Sequence, residues 1–193
     1  LAVEGAIVIV TDQNPTAGKA VADAVDTIQF LKHDVRIAAD WAKVMGNVTR
    51  QHGRLDLLIN NAGILATESS QDVENTSLNQ WQAVNAVNSE GVFLGCQHGI
   101  EAMKATGGSI VNLSSIAALM ATPHLFAYGA SKAAVRQLTK TVAVHCGRKG
   151  YRIRCNSVHP GIIQTSMGNQ VMALGGGNVK EKWAARIAAI SFK

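Results

Sequence analysis

A doubly wound parallel α/β sheet is the fold that this chain predicts, on three observations. Short apolar runs rich in β-branched residues, such as Ala6-Ile7-Val8-Ile9-Val10, lack the in-and-out alternation of a half-exposed strand, as expected where both faces of a strand are covered. Segments with helical spacing separate these runs, so the order begins β-α-β-α-β, the pattern of a parallel sheet with right-handed crossovers. The 193 residues, 47% hydrophobic and 16% charged, suit a single globular domain with a sizeable core.

Each element follows from its residues. The first strand, 6–10, ends in Thr11-Asp12, and a helix over 16–26 shows Ala17, Ala20, Val21, Ala24 and Val25 on one side, with Thr16 rather than Asp12 as its cap. Ile28 to Lys32 is a second strand that runs into His33-Asp34-Val35. Trp41, Val44, Met45 and Val48 mark a helix over 40–52, and the strand 55–59 empties into Asn60-Asn61-Ala62-Gly63. A polar loop, 66–75, precedes helical residues 77–104, with a break around Asn88 to Gly91. The strand 109–114, the loop 115–126 and a helix from about 128 to 146 come next, the helix carrying Val135, Leu138, Val142 and Cys146 on its apolar face. Tyr151 to Val158 is the last clear strand, followed by His159-Pro160-Gly161. Beyond it, Gly175-Gly176-Gly177 and a helix over 178–190 read as part of a mobile substrate flap spanning 166–193.

Composition narrows the function classes. Cys96, Cys146 and Cys155 are odd in number with no close pair, so buried free thiols are expected rather than disulfides or a zinc site. The six histidines form no His-Glu-x-x-His helix, and no metal is expected. The net charge is +5, with a basic cluster of Arg148, Lys149, Arg152 and Arg154 across a helix end and the next strand, where cations complement the helix dipole. Aromatic residues, 5% of the chain, do not interleave with these cations, so no nucleic acid is expected. No long apolar run and no cationic leader are present, so the expectation is a soluble cytoplasmic protein with no membrane partner.

The chemistry concentrates in Ser115 to Lys132. Tyr128 and Lys132 lie four residues apart in a helical segment, hence one turn apart on one face. An ammonium beside a phenol favours the phenolate, so a lowered Tyr128 pKa is expected, making the phenol a usable acid or base near neutral pH. Ser115 ends the strand-like run from Gly108, and a strand end beside a helix start is where open α/β sheets hold their chemistry. The three side chains can converge on one carbonyl or hydroxyl. Alone, a Tyr-x-x-x-Lys turn equally suits surface residues covering apolar neighbours.

A serine thirteen residues before the tyrosine of a Tyr-x-x-x-Lys turn resembles the short-chain dehydrogenase/reductase family, and four further features occur in that family's order. The resemblance implies a Rossmann fold and assigns roles residue by residue. Asn60 would tie neighbouring strands, while Asn61, Ala62 and Gly63 would border the cofactor ribose. Asn88 of Val87-Asn88-x-x-Gly91 would hold a water linked to Lys132, and Pro160, Gly161, Ile163 and Thr165 would contact the nicotinamide amide. Asp12 would accept hydrogen bonds from the adenosine ribose and repel a 2′-phosphate, favouring NAD over NADP, with Asp34 and Val35 at the adenine.

Ser115, Tyr128, Lys132 and Asn88 would then form the catalytic set, with Tyr128 and Lys132 also touching the cofactor. The wording of several segments, Gly91-Val92-Phe93-Leu94-Gly95-Cys96-Gln97 among them, is similar to bacterial 3β/17β-hydroxysteroid dehydrogenases. The implied partner is a small apolar alcohol or ketone, a hydroxysteroid first, with other cyclic or aliphatic alcohols or a 3-oxoacyl group as alternatives. Leu65, Leu119, Met120, Leu125, Phe126, Met167 and Met172 are candidates for its pocket, or for packing. Pairing of the helices that carry Asn88 and Tyr128 would imply a homotetramer.

The chain departs from the family in one respect. The Thr-Gly-x-x-x-Gly-x-Gly turn that receives the pyrophosphate is absent, and counting elements puts Ala6 to Val10 at the family's second strand, so the first strand-turn-helix and the last strand read as lacking. Such a sheet would expose a central edge. A non-catalytic scaffold that kept the fold is the reading from another class.

Overall fold

The computed structural model describes residues 1–66, 71–174 and 176–190. Five strands alternate with helices: β1 (Val8–Asp12), α1 (Pro15–Ala22), β2 (Ile28–Lys32), α2 (Ala38–His52), β3 (Leu57–Asn60), α3 (Leu78–Asn85), α4 (Gly91–Met103), β4 (Gly108–Leu113), α5 (Phe126–Lys149), β5 (Ile153–Val158), α6 (Ser166–Ala173) and α7 (Val179–Ile190). Every strand pairing is parallel, as the alternation predicts. The ladder is divided: β1 pairs with β2, and β3, β4 and β5 pair in that order, with no hydrogen-bonded pairing between the two groups among the described residues.

The division shows on β3. Leu58 and Asn60 face α4, where a β-carbon on Gly99 or Gly95 would collide with them. On the other face Leu57 and Ile59 are 38% and 42% exposed, so that face of the strand is only partly covered. The core lies between the three-stranded ladder and helices α4 and α5. There Val92, Cys96, Met103, Ile110, Val135, Cys146, Ile153 and Cys155 pack together, and all three cysteines are free and buried, as expected.

Local chemistry explains the boundaries. The cap of α1 is Asn14, not Thr16: its side chain accepts from the amides of Thr16 and Ala17, because Pro15 takes the first helical position and moves the cap ahead of it. The helix ends at Ala22 rather than 26. Helix α3 starts with a capping box between Ser77 and Gln80. The break expected near Asn88 is a π-helical turn over Ala86–Glu90 that joins α3 to α4. Helix α5 closes at Gly150, whose φ of 69° lets its amide reach back to the carbonyls of Cys146 and Gly147.

The segment expected as a flap holds two helices where the sequence reading named one. Trp183 of α7 is buried and donates through Nε1 to Asn169 Oδ1 of α6 at 2.9 Å, and Lys182 donates to the carbonyls of Met172 and Leu174. Gly175 and residues 191–193 lie outside the described residues. No described helix is long and apolar enough to cross a membrane.

Candidate active site

Ser115, Tyr128 and Lys132 meet beyond the carboxyl end of β4. Ser115 caps a short 3-10 turn, Ile116–Ala118, its Oγ accepting from the amide of Ala117 at 3.1 Å. A hydroxyl that accepts from an amide keeps its own proton to donate. Tyr128 and Lys132 stand one turn apart at the start of α5, with Lys132 Nζ 5.6 Å from the centre of the Tyr128 ring. Lys132 is buried, and its ammonium donates to the carbonyl of Leu113 at 2.8 Å.

The electrostatics correct the sequence reading at one point. Burial pushes the Tyr128 phenol above its ordinary pKa, and the Ser115 hydroxyl only partly opposes the rise. Burial also drives Lys132 down, to about 8. Both charged forms lose water here, and desolvation outweighs the help that an ammonium one turn away was expected to give. Tyr128 is therefore a neutral phenol at pH 7, not an activated phenolate.

Asn88 sits in the π turn, fully buried. Its side chain accepts from the amide of Ile64 at 2.8 Å and donates to the carbonyl of Ile64 at 3.0 Å and to Ser131 Oγ at 3.1 Å. Ser131 in turn donates to the carbonyl of Tyr128 at 2.7 Å, so Asn88 steadies the turn of α5 between Tyr128 and Lys132. Gly63 belongs to the same cluster: a β-carbon there would come within 3.3 Å of Lys132 Nζ and 3.5 Å of Asn88 Oδ1. Sequence reasoning missed Ser131 and Ser114, whose hydroxyl donates to the carbonyl of Lys132 at 2.8 Å. The signal for both was position alone, since each adjoins a residue already singled out.

Asn60 ties the strands. Its Nδ2 donates to Asn112 Oδ1 across β3 and β4 at 2.8 Å, and Asn112 Nδ2 donates to Thr139 Oγ1 of α5 at 2.9 Å. This directed chain fixes α5 against the sheet below Tyr128.

The remaining candidates fall in two places. Asn61 and Ala62 are exposed past β3, while Pro160 accepts from the amide of Ile116 at 3.0 Å beside exposed Gly161 and Ile163. Thr165 caps α6, its Oγ1 accepting from the amide of Gly168 at 3.1 Å. At the far ends of β1 and β2, Asp12 accepts from the amide of Asn14 at 2.7 Å and remains exposed. The Asp34 carboxylate is held by the Arg36 guanidinium, and the Val35 carbonyl by Trp41 Nε1 at 2.9 Å. The pocket candidates divide: Leu65 and Met172 are buried packing residues, whereas Leu119 and Met120 are 56% and 61% exposed.

A family model described as Enoyl-(Acyl carrier protein) reductase matches residues 1–190. The chain is 44% identical over 165 residues to a 3-beta-hydroxysteroid dehydrogenase of Comamonas testosteroni, covering 85% of this chain and 64% of that protein. It is 39% identical over 169 residues to an NADP-dependent (R)-specific alcohol dehydrogenase of Lentilactobacillus kefiri, covering 85% and 66%. The solved structure of levodione reductase superposes with a TM-score of 0.87 at 31% identity, over 97% of this chain and 74% of that one. The chain belongs to the short-chain dehydrogenase/reductase family and has its Rossmann-like fold. It spans somewhat under two thirds of the length of the two dehydrogenases.

Proposed function

We propose that this chain carries the catalytic centre of an NAD-dependent oxidoreductase that interconverts a secondary alcohol, a hydroxysteroid first, and its ketone. The observation that carries the reading is the convergence of Ser115, Tyr128 and Lys132 beside Gly63, whose missing side chain leaves room next to the lysine. The residues fit a nicotinamide dinucleotide: an exposed carboxylate at Asp12 suits a ribose diol, and exposed backbone at Asn61, Ala62 and Gly161 lines the carboxyl ends of the strands. When bound, that cofactor accepts or supplies the hydride.

The chain's own residues handle the oxygen and its proton. Ser115 donates a hydrogen bond to the substrate oxygen and orients it: its Oγ already accepts from Ala117, and the proton it directs at Tyr128 turns to the bound oxygen. Tyr128 exchanges the proton. Its raised pKa holds the phenol neutral, which suits donation to a ketone oxygen at pH 7; proton removal from an alcohol is favoured as the pH rises. Lys132 holds the ribose and supplies the nearby positive charge, and Asn88 offers the second lone pair of Oδ1 to a relaying water.

An apolar alcohol or ketone is supported by Leu119, Met120 and Ile163, which are exposed around this cluster. That openness also supports a second reading, oxidation of a smaller cyclic or aliphatic alcohol, and activity on cyclohexanol with none on any steroid would select it. A homotetramer is supported by exposed apolar residues on α4 and α5, Phe93 and Val144, which are 52% and 54% exposed. The test of the mechanism is Tyr128→Phe: turnover should disappear while NADH binding, read by fluorescence, stays nearly intact. Retained turnover refutes the assignment.

A further inference from the structure

We propose that His159 is a positioning residue that orients Ser115, a role resting on the reaction proposed above. His159 follows β5, and its Nδ1 lies 3.0 Å from the carbonyl oxygen of Ser115, while its Nε2 lies 2.9 Å from Ser157 Oγ. A carbonyl only accepts, so Nδ1 carries the proton. With the proton on Nδ1 alone, Nε2 presents a lone pair to which the Ser157 hydroxyl donates. The result is a directed relay, Ser157 to His159 to Ser115, with the tautomer set by its two ends.

The backbone shows why a side chain is needed here. Past the end of the β4–β5 ladder the amide of Ser114 donates to Val158 at 2.9 Å and that of Ile116 donates to Pro160 at 3.0 Å. Residue 160 is a proline and has no amide hydrogen to return to the neighbouring strand. The amide that Pro160 lacks would have served the Ser114 carbonyl, so the extension is bonded in one direction only, and beside that gap the imidazole donates to the carbonyl of Ser115. Ser115 is held extended, with φ −168° and ψ 161°. Its ψ sets where the carbonyl points relative to the Cα–Cβ bond, so fixing the carbonyl aims that bond, and the hydrogen bond from the Ala117 amide then sets Oγ beside Tyr128. The bland alternative is a half-buried histidine that merely satisfies two polar neighbours; it predicts lost stability without a selective loss of kcat.

Two measurements decide between these. Imidazole ¹⁵N–¹H correlation spectra of the whole chain should place the single ring proton of His159 on Nδ1, and a single proton on Nε2 overturns the relay whether or not any substrate turns over. In alcohol oxidation, His159→Asn keeps a donor near the place of Nδ1, whereas His159→Gln and His159→Leu do not. The expected result is a kcat within about threefold of wild type for His159→Asn and a loss of roughly 10–100-fold for the other two, with KM little changed. Equal kcat for His159→Leu and wild type, or equal losses for Asn and Leu that follow their melting temperatures, refute the positioning role. An inactive wild type instead refutes the oxidoreductase reading, and the tautomer then still decides the relay.

Discussion

The two ladders of this chain are held by different physics. In the three-stranded ladder Ile110 and Asn112 of β4 are completely buried, and β5 contributes Ile153 and Cys155 to the same core. In the two-stranded ladder no residue of β1 or β2 is fully buried. That ladder is fastened at its margins, by Gly18 of α1 lying against the Phe30 ring and by the His33–Trp41–Asp40 group past its carboxyl end. The proposed chemistry thus stands on a packed platform, and the proposed adenosine side on a polar, partly wet one. Substitutions should be globally costly in the first and local or pH-dependent in the second.

The sharpest test of that contrast is Asn112→Ala. The change takes the Oδ1 acceptor from the Asn60 amide, which keeps only a long contact to Cys96 Sγ, and a donor from the Thr139 hydroxyl, which still donates to Val135; with the cavity left behind, a loss of about 4 kcal/mol in unfolding free energy is expected. Denaturant titration measures it. A loss below about 1 kcal/mol would mean the platform is not held by this chain of amides.

The same contrast governs what could be read from the sequence. Strand runs were legible as short β-branched apolar stretches and helices as stripes, because a buried helix face imposes a period on residue choice; Tyr128 and Lys132 stood out by their spacing, and Asn88 by family resemblance alone. Two things were not. The cap at Asn14 and the helix over 166–173 depend on single polar side chains, which leave no periodic trace. The direction of the Tyr128 shift depends on how much water is excluded, and spacing carries no information on depth: four residues put the ammonium nearby, but burial decides which charge survives.

Lys132 gives the next largest effect. Its pKa falls from 10.5 to about 8 on folding, so between these values the unfolded chain binds more protons than the native one, and stability rises with pH across that window. The full swing is about 3 kcal/mol by linkage. Lys132→Met should remove this rise, leaving a profile that no longer climbs from pH 8 to 10 in urea unfolding. A rise unchanged in the variant would assign it to another group.

On the two-stranded side, Asp12 tests the proposed preference for NAD. Register brings Lys32 of β2 beside Asp12, so a cation is at hand for a 2′-phosphate once the carboxylate is removed. Asp12→Ser should raise the ratio of NADP to NAD affinity about tenfold, and Lys32→Ala should take back most of that gain. Binding titrations with both reduced cofactors read the ratio. No change in Asp12→Ser would detach cofactor preference from this strand end.

The smallest effect is expected at His33, and it has the opposite setting in pH. The ring is buried, packed edge-on to Trp41 at 4.4 Å, with Nδ1 on Thr11 Oγ1 at 3.2 Å and Nε2 without a partner. Burial pulls its pKa below the ordinary 6.5, and the charge of His98 adds to this, while Asp40 and Asp34 pull the other way. As pH falls through 6.5 the unfolded chain takes a proton that the native ring resists, so stability falls toward acid and is fully present above the unfolded value. His33→Leu should flatten the profile between pH 7 and 5 while leaving the alkaline rise from Lys132 intact. An acid limb that persists in His33→Leu would place the weakness of the two-stranded side elsewhere, and simultaneous loss of the alkaline rise would show that the two ladders do not titrate independently.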